Sequence, residues 1–98
     1  MSQALREMPP CGMVVQSMAG RDAGRYFIVV GQANADHVLL CDGMTHKLGR
    51  PKKKKLKHLR GKPGDTGDIR DRLSKGNGLL DADIRRALQT LGYNGGNQ

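Results

Sequence analysis

Apolar residues fall in short runs punctuated by glycine, and only near the C-terminus do they recur at helical spacing. Residues 12–17 and 25–30 are rich in β-branched and aromatic side chains, with Gly20 and Gly24 in the interval, a pattern that predicts strand, loop, strand. In the second run, alternation sets Tyr26, Ile28 and Val30 on one face and Phe27 and Val29 on the other. Both faces are apolar, as expected of a short strand covered from two sides. A third run, 37–41, leads into Asp42-Gly43, a dipeptide favoured in two-residue hairpin turns because both central positions take positive φ. Residues 44–48 are then expected as the returning strand, with Leu56 and Leu59 anchoring a short last strand or turn.

Five short strands joined by tight turns predict a mainly β fold, a small SH3-like five-stranded barrel, because closure removes the exposed edges of a small open sheet. The flanks read differently. Residues 1–10 end in Pro9-Pro10, which withholds backbone donors, so a flexible, extended N-terminal arm is expected. Residues 61–67 turn to Gly, Pro and Asp and open a linker over 61–80 whose order the sequence leaves open, with a helical turn expected over 69–73. Over 81–92, Ile84, Ala87, Leu88 and Leu91 recur at helical spacing, with Asp81 to cap the start and Gly92 to end the helix. Residues 93–98 form the expected flexible tail. A helix of about eleven residues is marginal alone. It either folds back on the barrel through Ile84, Leu88 and Leu91 or docks on a protein or RNA neighbour with Arg85 and Arg86 outward.

Composition narrows the function. Only 37% of the 98 residues are apolar and the aromatics are Tyr26, Phe27 and Tyr93, so the core is small and a large catalytic cleft is not expected. Net charge is +8 and the pI is 10.0, which points to an acidic partner. Residues 1–63 carry 12 basic and 4 acidic groups, whereas residues 64–98 carry 5 of each. The binding surface therefore belongs to the first two-thirds. No run approaches the roughly 20 apolar residues of a membrane span. Cys11 and Cys41 form no CxxC pair, and no signal-like apolar run opens the chain, so a reducing cytoplasm is the expected setting.

The segment GMVVQSMAGRDAGRYFIVVG, residues 12–31, resembles the KOW motif: paired valines after a glycine, a glycine-bounded loop, then a second apolar strand. With the DGMTHKLGRPKKKKLKHL run that follows, residues 11–60 are similar to bacterial KOW-domain RNA-binding proteins, which are related to large-subunit ribosomal proteins of the L-fourteen-e kind. The resemblance implies an SH3-like barrel, association with RNA or ribonucleoprotein, and no enzymatic activity. KOW modules also occur in transcription elongation factors. The additional N-terminal domain of those factors has no counterpart in this sequence, which brings the ribosomal comparison closer.

The residues support the same partner by charge. Gly20 and Gly24 let the 20–25 loop approach a phosphate, and Arg21 and Arg25 offer planar guanidinium donors to it. Asp22 is expected either to fix one of those arginines and bond loop N–H groups or to act as an Asx-turn residue. An ordinary hairpin connection is the alternative for the whole loop. The second constellation is Lys47, Arg50, Lys52, Lys53, Lys54, Lys55, Lys57, Arg60 and Lys62, with no acidic residue between Gly43 and Gly64. Such density suits a polyanion, each phosphate contact releasing counterions. A solvated charge run, a nuclear-localisation-like signal and a membrane-surface patch are its alternatives.

Few aromatics are available for base stacking, so recognition of folded RNA by phosphate and shape is expected over reading of a single strand. His37, His46 and His58 share no ligand spacing with the cysteines, and no metal or cofactor is expected. Asp36-His37 lacks a nucleophile, and GxxxxGK[ST] is absent. The sequence therefore points to a non-enzymatic protein contacting structured, ribosomal RNA, with no small-molecule substrate and no membrane. A KOW protein-interaction module of the transcription or translation machinery is the alternative.

Overall fold

The computed structural model describes residues 4–76 and 78–94. Strands β1 (Val14–Ser17), β2 (Tyr26–Asn34), β3 (His37–Cys41), β4 (Lys52–Lys55) and β5 (Leu59–Lys62) form one antiparallel sheet in the order β4-β3-β2-β1-β5. A 3-10 turn, Leu56–His58, joins β4 to β5, and helices α1 (Asp68–Lys75) and α2 (Asp81–Thr90) follow. The chain is thus mainly β, with two helices behind the sheet.

The double alternation of β2 divides the core as its side chains require. Phe27 and Val29 join Val15, Val38, Leu40, Leu56 and Leu59 on one face, with Leu5, Met8 and Met13 packed against them. Ile28 joins Val14 and Cys41 on the other, under Ile69 of α1 and Ile84 and Leu88 of α2. Fully burying a side chain such as Ile84 or Leu88 contributes about 1.5–3 kcal/mol. That contribution, rather than the intrinsic propensity of a short helix, fixes α2. Of the two expectations for this helix, folding back is the one observed.

Several elements depart from the sequence reading. Residues 44–48 form no strand; β4 is the returning strand, pairing Leu40 with Lys52 through His37 with Lys55. Lysine is a poor strand former, and pairing with β3 overrides that preference. Asp42-Gly43 is not a two-residue hairpin turn, because Gly43 (φ 77°) takes positive φ and Asp42 does not. β2 continues to Asn34, with register shifts between Val29 and Gly31 and between Gln32 and Asn34. The stretch expected as linker contains the end of β5 and all of α1, anchored by buried Ile69. Asp81 does not cap α2: the cap position is Leu80, whose N–H donates to Asp83 Oδ2 at 3.0 Å. Gly92 does end the helix, at φ 85°.

Both flanks are docked where they are described. Leu5 N–H donates to Leu59 O at 2.8 Å, and Pro9 is buried. The Tyr93 ring stacks on Tyr26 with centroids 4.3 Å apart. Asn94 grips the Tyr26 backbone, its Oδ1 accepting from the N–H and its Nδ2 donating to the carbonyl, both at 2.9 Å. Residues 1–3 of the expected arm and 95–98 of the expected tail lie outside the described residues.

Candidate nucleic-acid interface

The 20–25 loop leaves β1 and re-enters β2 through glycines in the left-handed region, Gly20 at φ 84° and Gly24 at φ 88°. Gly24 N–H donates to Ser17 O at 2.8 Å and Arg25 N–H to Asp22 O at 2.9 Å, which closes the loop on itself. Asp22 turns inward and bonds neither arginine. Its Oδ1 accepts from Ser17 Oγ at 2.7 Å and Lys54 Nζ at 2.8 Å, while Lys52 Nζ lies 3.6 Å from Oδ2. Lys54 Nζ also donates to Ala19 O at 2.6 Å. Burial alone would raise the Asp22 carboxyl, but the bonds from Lys54 and Ser17 and the two ammonium charges outweigh it and hold the group below its ordinary value.

A second buried carboxylate builds the loop between β3 and β4. Asp42 Oδ1 accepts from the N–H groups of Met44 and His46, both at 2.9 Å; Oδ2 accepts from Thr45 Oγ1 at 2.7 Å and Arg25 Nη2 at 3.3 Å. Burial again opposes ionisation, and these donors overcome it, so Asp42 too sits below its ordinary value. α2 supports this loop from behind. Leu48 N–H donates to Asp81 Oδ1 at 2.7 Å, and Arg85 Nη1 donates to Gly43 O at 3.2 Å. A Cβ on Gly43 would lie 2.8 Å from Arg85 N and press on Asp81 O, so only glycine fits there.

The structure sorts the expected cations. Arg21, Lys47, Arg50, Lys53 and Lys57 are exposed; Arg25, Lys52, Lys55, Arg60 and Lys62 are half-buried. Lys54 is buried, with only 10% of its side chain exposed, and it is spent on Asp22. It is therefore an internal strut rather than the expected RNA contact. Strand alternation separates Lys52 and Lys54, directed at Asp22, from Lys53 and Lys55 on the other side of β4. Lys55 Nζ stands 3.8 Å from Asp36 Oδ2, and Arg60 Nε donates to Met18 Sδ at 3.1 Å on β5. The nine-cation run is thus divided among several faces. What the fold does bring together is Arg21, Arg25 and Lys52, around an open depression of about 510 Å³ that Asp22, Met44, Thr45 and His46 complete.

Sequence reasoning missed Met44 and His46 at this depression, and Asp81 and Arg85 as supports for the loop beside it. The signal for the first was a loop wrongly assigned to a strand; contacts spanning 33 and 42 residues leave no local signal. Neither strand aromatic is free to stack on a base, since Phe27 is buried and Tyr26 is covered by Tyr93. Among the described residues, no group of three or more His, Cys, Asp or Glu could hold a metal, and no helix is long and apolar enough to cross a membrane. Cys41 is buried, and burial together with the charges of Asp81 and Asp42 pushes its thiol up to about 12. No protein-family model and no curated protein sequence matches the chain.

Proposed function

We propose that this chain is a KOW-type RNA-binding module without catalytic activity, acting in the cytoplasm on structured ribosomal RNA through its phosphates. The observation that carries the reading is the set of five exposed cations, Arg21, Lys47, Arg50, Lys53 and Lys57, left over after the nearby acids are used. Asp22, Asp36 and Asp42 are each already paired with a lysine or arginine. These five side chains therefore have no described ion-pair partner, and a polyanion can neutralise them with release of its counterions.

In the same reading the sheet closes into an SH3-like barrel. Its edge strands, β4 and β5, are consecutive in the chain and joined by a single 3-10 turn. The Phe27 face would then be the interior, with Leu56 and Leu59 sealing it. Lys54, reaching from β4 to Ala19 and Asp22 beyond the end of β1, supports that curvature. Closure places the loops at the ends of the strands, where a phosphate backbone can reach Arg21 and Arg50 without meeting the core.

Refolded large-subunit ribosomal RNA titrated at increasing salt tests the reading. About five phosphate contacts give a slope of log Kobs against log salt of about −3.5 to −4.5. A slope near zero, or no binding in dilute buffer, overturns it.

A further inference from the structure

The depression between the 20–25 and 42–46 loops has a feature that phosphate binding alone does not use. Its walls are mainly carbon, from Met44, Thr45, His46 and the stems of Arg21, Arg25 and Lys52, and the three cations around it outnumber the one carboxylate in its lining, Asp22. Met44 is 52% exposed here, one of the two large apolar side chains exposed among the described residues. At about 510 Å³ the space lies in the range of roughly 300–1,000 Å³ typical of small-ligand sites.

The two arginines differ. Arg25 is tethered to Asp42 by one contact at 3.3 Å, whereas Arg21 is exposed and has no described ion-pair partner. Lys52 is only loosely engaged, 3.6 Å from Asp22 Oδ2, a buried oxygen with no hydrogen-bond partner among the described residues, whereas Lys54 bonds Oδ1 at 2.8 Å. A guanidinium plane stacks on a base, and a thioether packs against an aromatic face. Mobile or weakly held cations meet phosphate.

We propose that this depression receives one unpaired nucleotide of the bound RNA. The base stacks between Met44 and the Arg25 guanidinium, and its phosphates engage Arg21 and Lys52. The inference rests on the RNA-binding reading and deepens it: the preferred RNA is a helix interrupted by a bulged nucleotide, not an unbroken duplex. It also supplies the stacking surface that the occupied aromatics cannot provide.

Two labelled RNA hairpins of identical stem, one carrying a single bulged 2-aminopurine nucleotide and one fully paired, separate the possibilities by anisotropy and fluorescence. Stacking of one base corresponds to a preference of about tenfold for the bulged hairpin, with a change in 2-aminopurine emission. Met44→Ser, at an exposed position, should reduce the preference and the emission change together. Equal affinity for the two hairpins overturns this inference and leaves the RNA reading standing. A preference that survives both Met44→Ser and Arg25→Ala places the nucleotide elsewhere and also overturns it. Binding of neither hairpin overturns both readings.

Discussion

Lys54 and Asp22 are paired at 2.8 Å from opposite ends of the basic half of the chain, with only 10% and 11% of their side chains exposed. A lysine in the middle of a four-lysine run is therefore part of the frame, not of the charged surface. Breaking a well-buried pair by removing one partner costs about 3 kcal/mol, whereas exposed surface changes cost within about 0.5 kcal/mol. Lys54→Met should lower the urea midpoint substantially and Lys53→Met should leave it in place. The double variant Asp22→Asn with Lys54→Met should recover part of the loss. Equal effects of the two lysine substitutions would refute the distinction.

RNA binding should respond in the opposite order. Arg21→Ala removes an exposed cation and should weaken binding to all RNA sequences alike, reducing the salt slope by about one. Thermal stability should be unchanged, because Arg21 has no described structural bond. A slope identical to that of the unaltered protein removes Arg21 from the interface.

Acid should unfold the protein through the two inward carboxylates. Asp22 and Asp42 bind protons less readily folded than unfolded, so each contributes stability that is full above the ordinary value of 3.8 and is lost as pH falls through the lower folded value. Urea midpoints should therefore fall steeply as the pH is taken from about 6 to about 2.5, and Asp42→Asn should flatten that dependence while lowering stability at neutral pH. A midpoint that does not change with acid contradicts the assignment.

The cysteines should react unequally. Cys41 is fully buried with its thiol pushed up to about 12, while Cys11 is half-buried. A thiol reagent should titrate Cys11 in the native protein and Cys41 only after denaturant is added. Modification of Cys41 at the native rate would show that α2 lifts off the sheet freely.

The amide of Tyr26 should be protected from exchange by the side chain of Asn94, which lies 68 residues away in sequence. Asn94→Ala removes two hydrogen bonds, each contributing about 0.5–1.5 kcal/mol. Faster exchange at Tyr26 in that variant, with Ile84 and Leu88 still protected, is the expected pattern. Unchanged exchange at Tyr26 would mean that the grip contributes nothing.

The legible parts of the fold are those written in short-range periodicity. The alternation from Tyr26 to Val30 places each side chain on its observed face, and the Ile84, Leu88 spacing gives the buried stripe of α2, with half-buried Leu91 packed beside it just past the helix end. The 37–41 strand has the observed bounds. The loops were less legible because their form depends on buried carboxylates. Asp42-Gly43 has the composition of a tight turn, yet an Asp42 carboxylate that collects four donors across residues 25–46 outcompetes it. For the interface, counting charges located the basic segment but could not reveal which lysines face inward. That partition comes from strand pairing of Lys54 opposite Val38, a residue of the core.

The buttressing of the 42–48 loop by Asp81 and Arg85 sets an order of events during synthesis. While residues beyond 80 are still inside the exit tunnel, that loop has no floor. If the chain binds RNA as proposed, a nascent form is poorly equipped to seize the RNA around it, and competence arrives only when α2 emerges and closes behind the sheet.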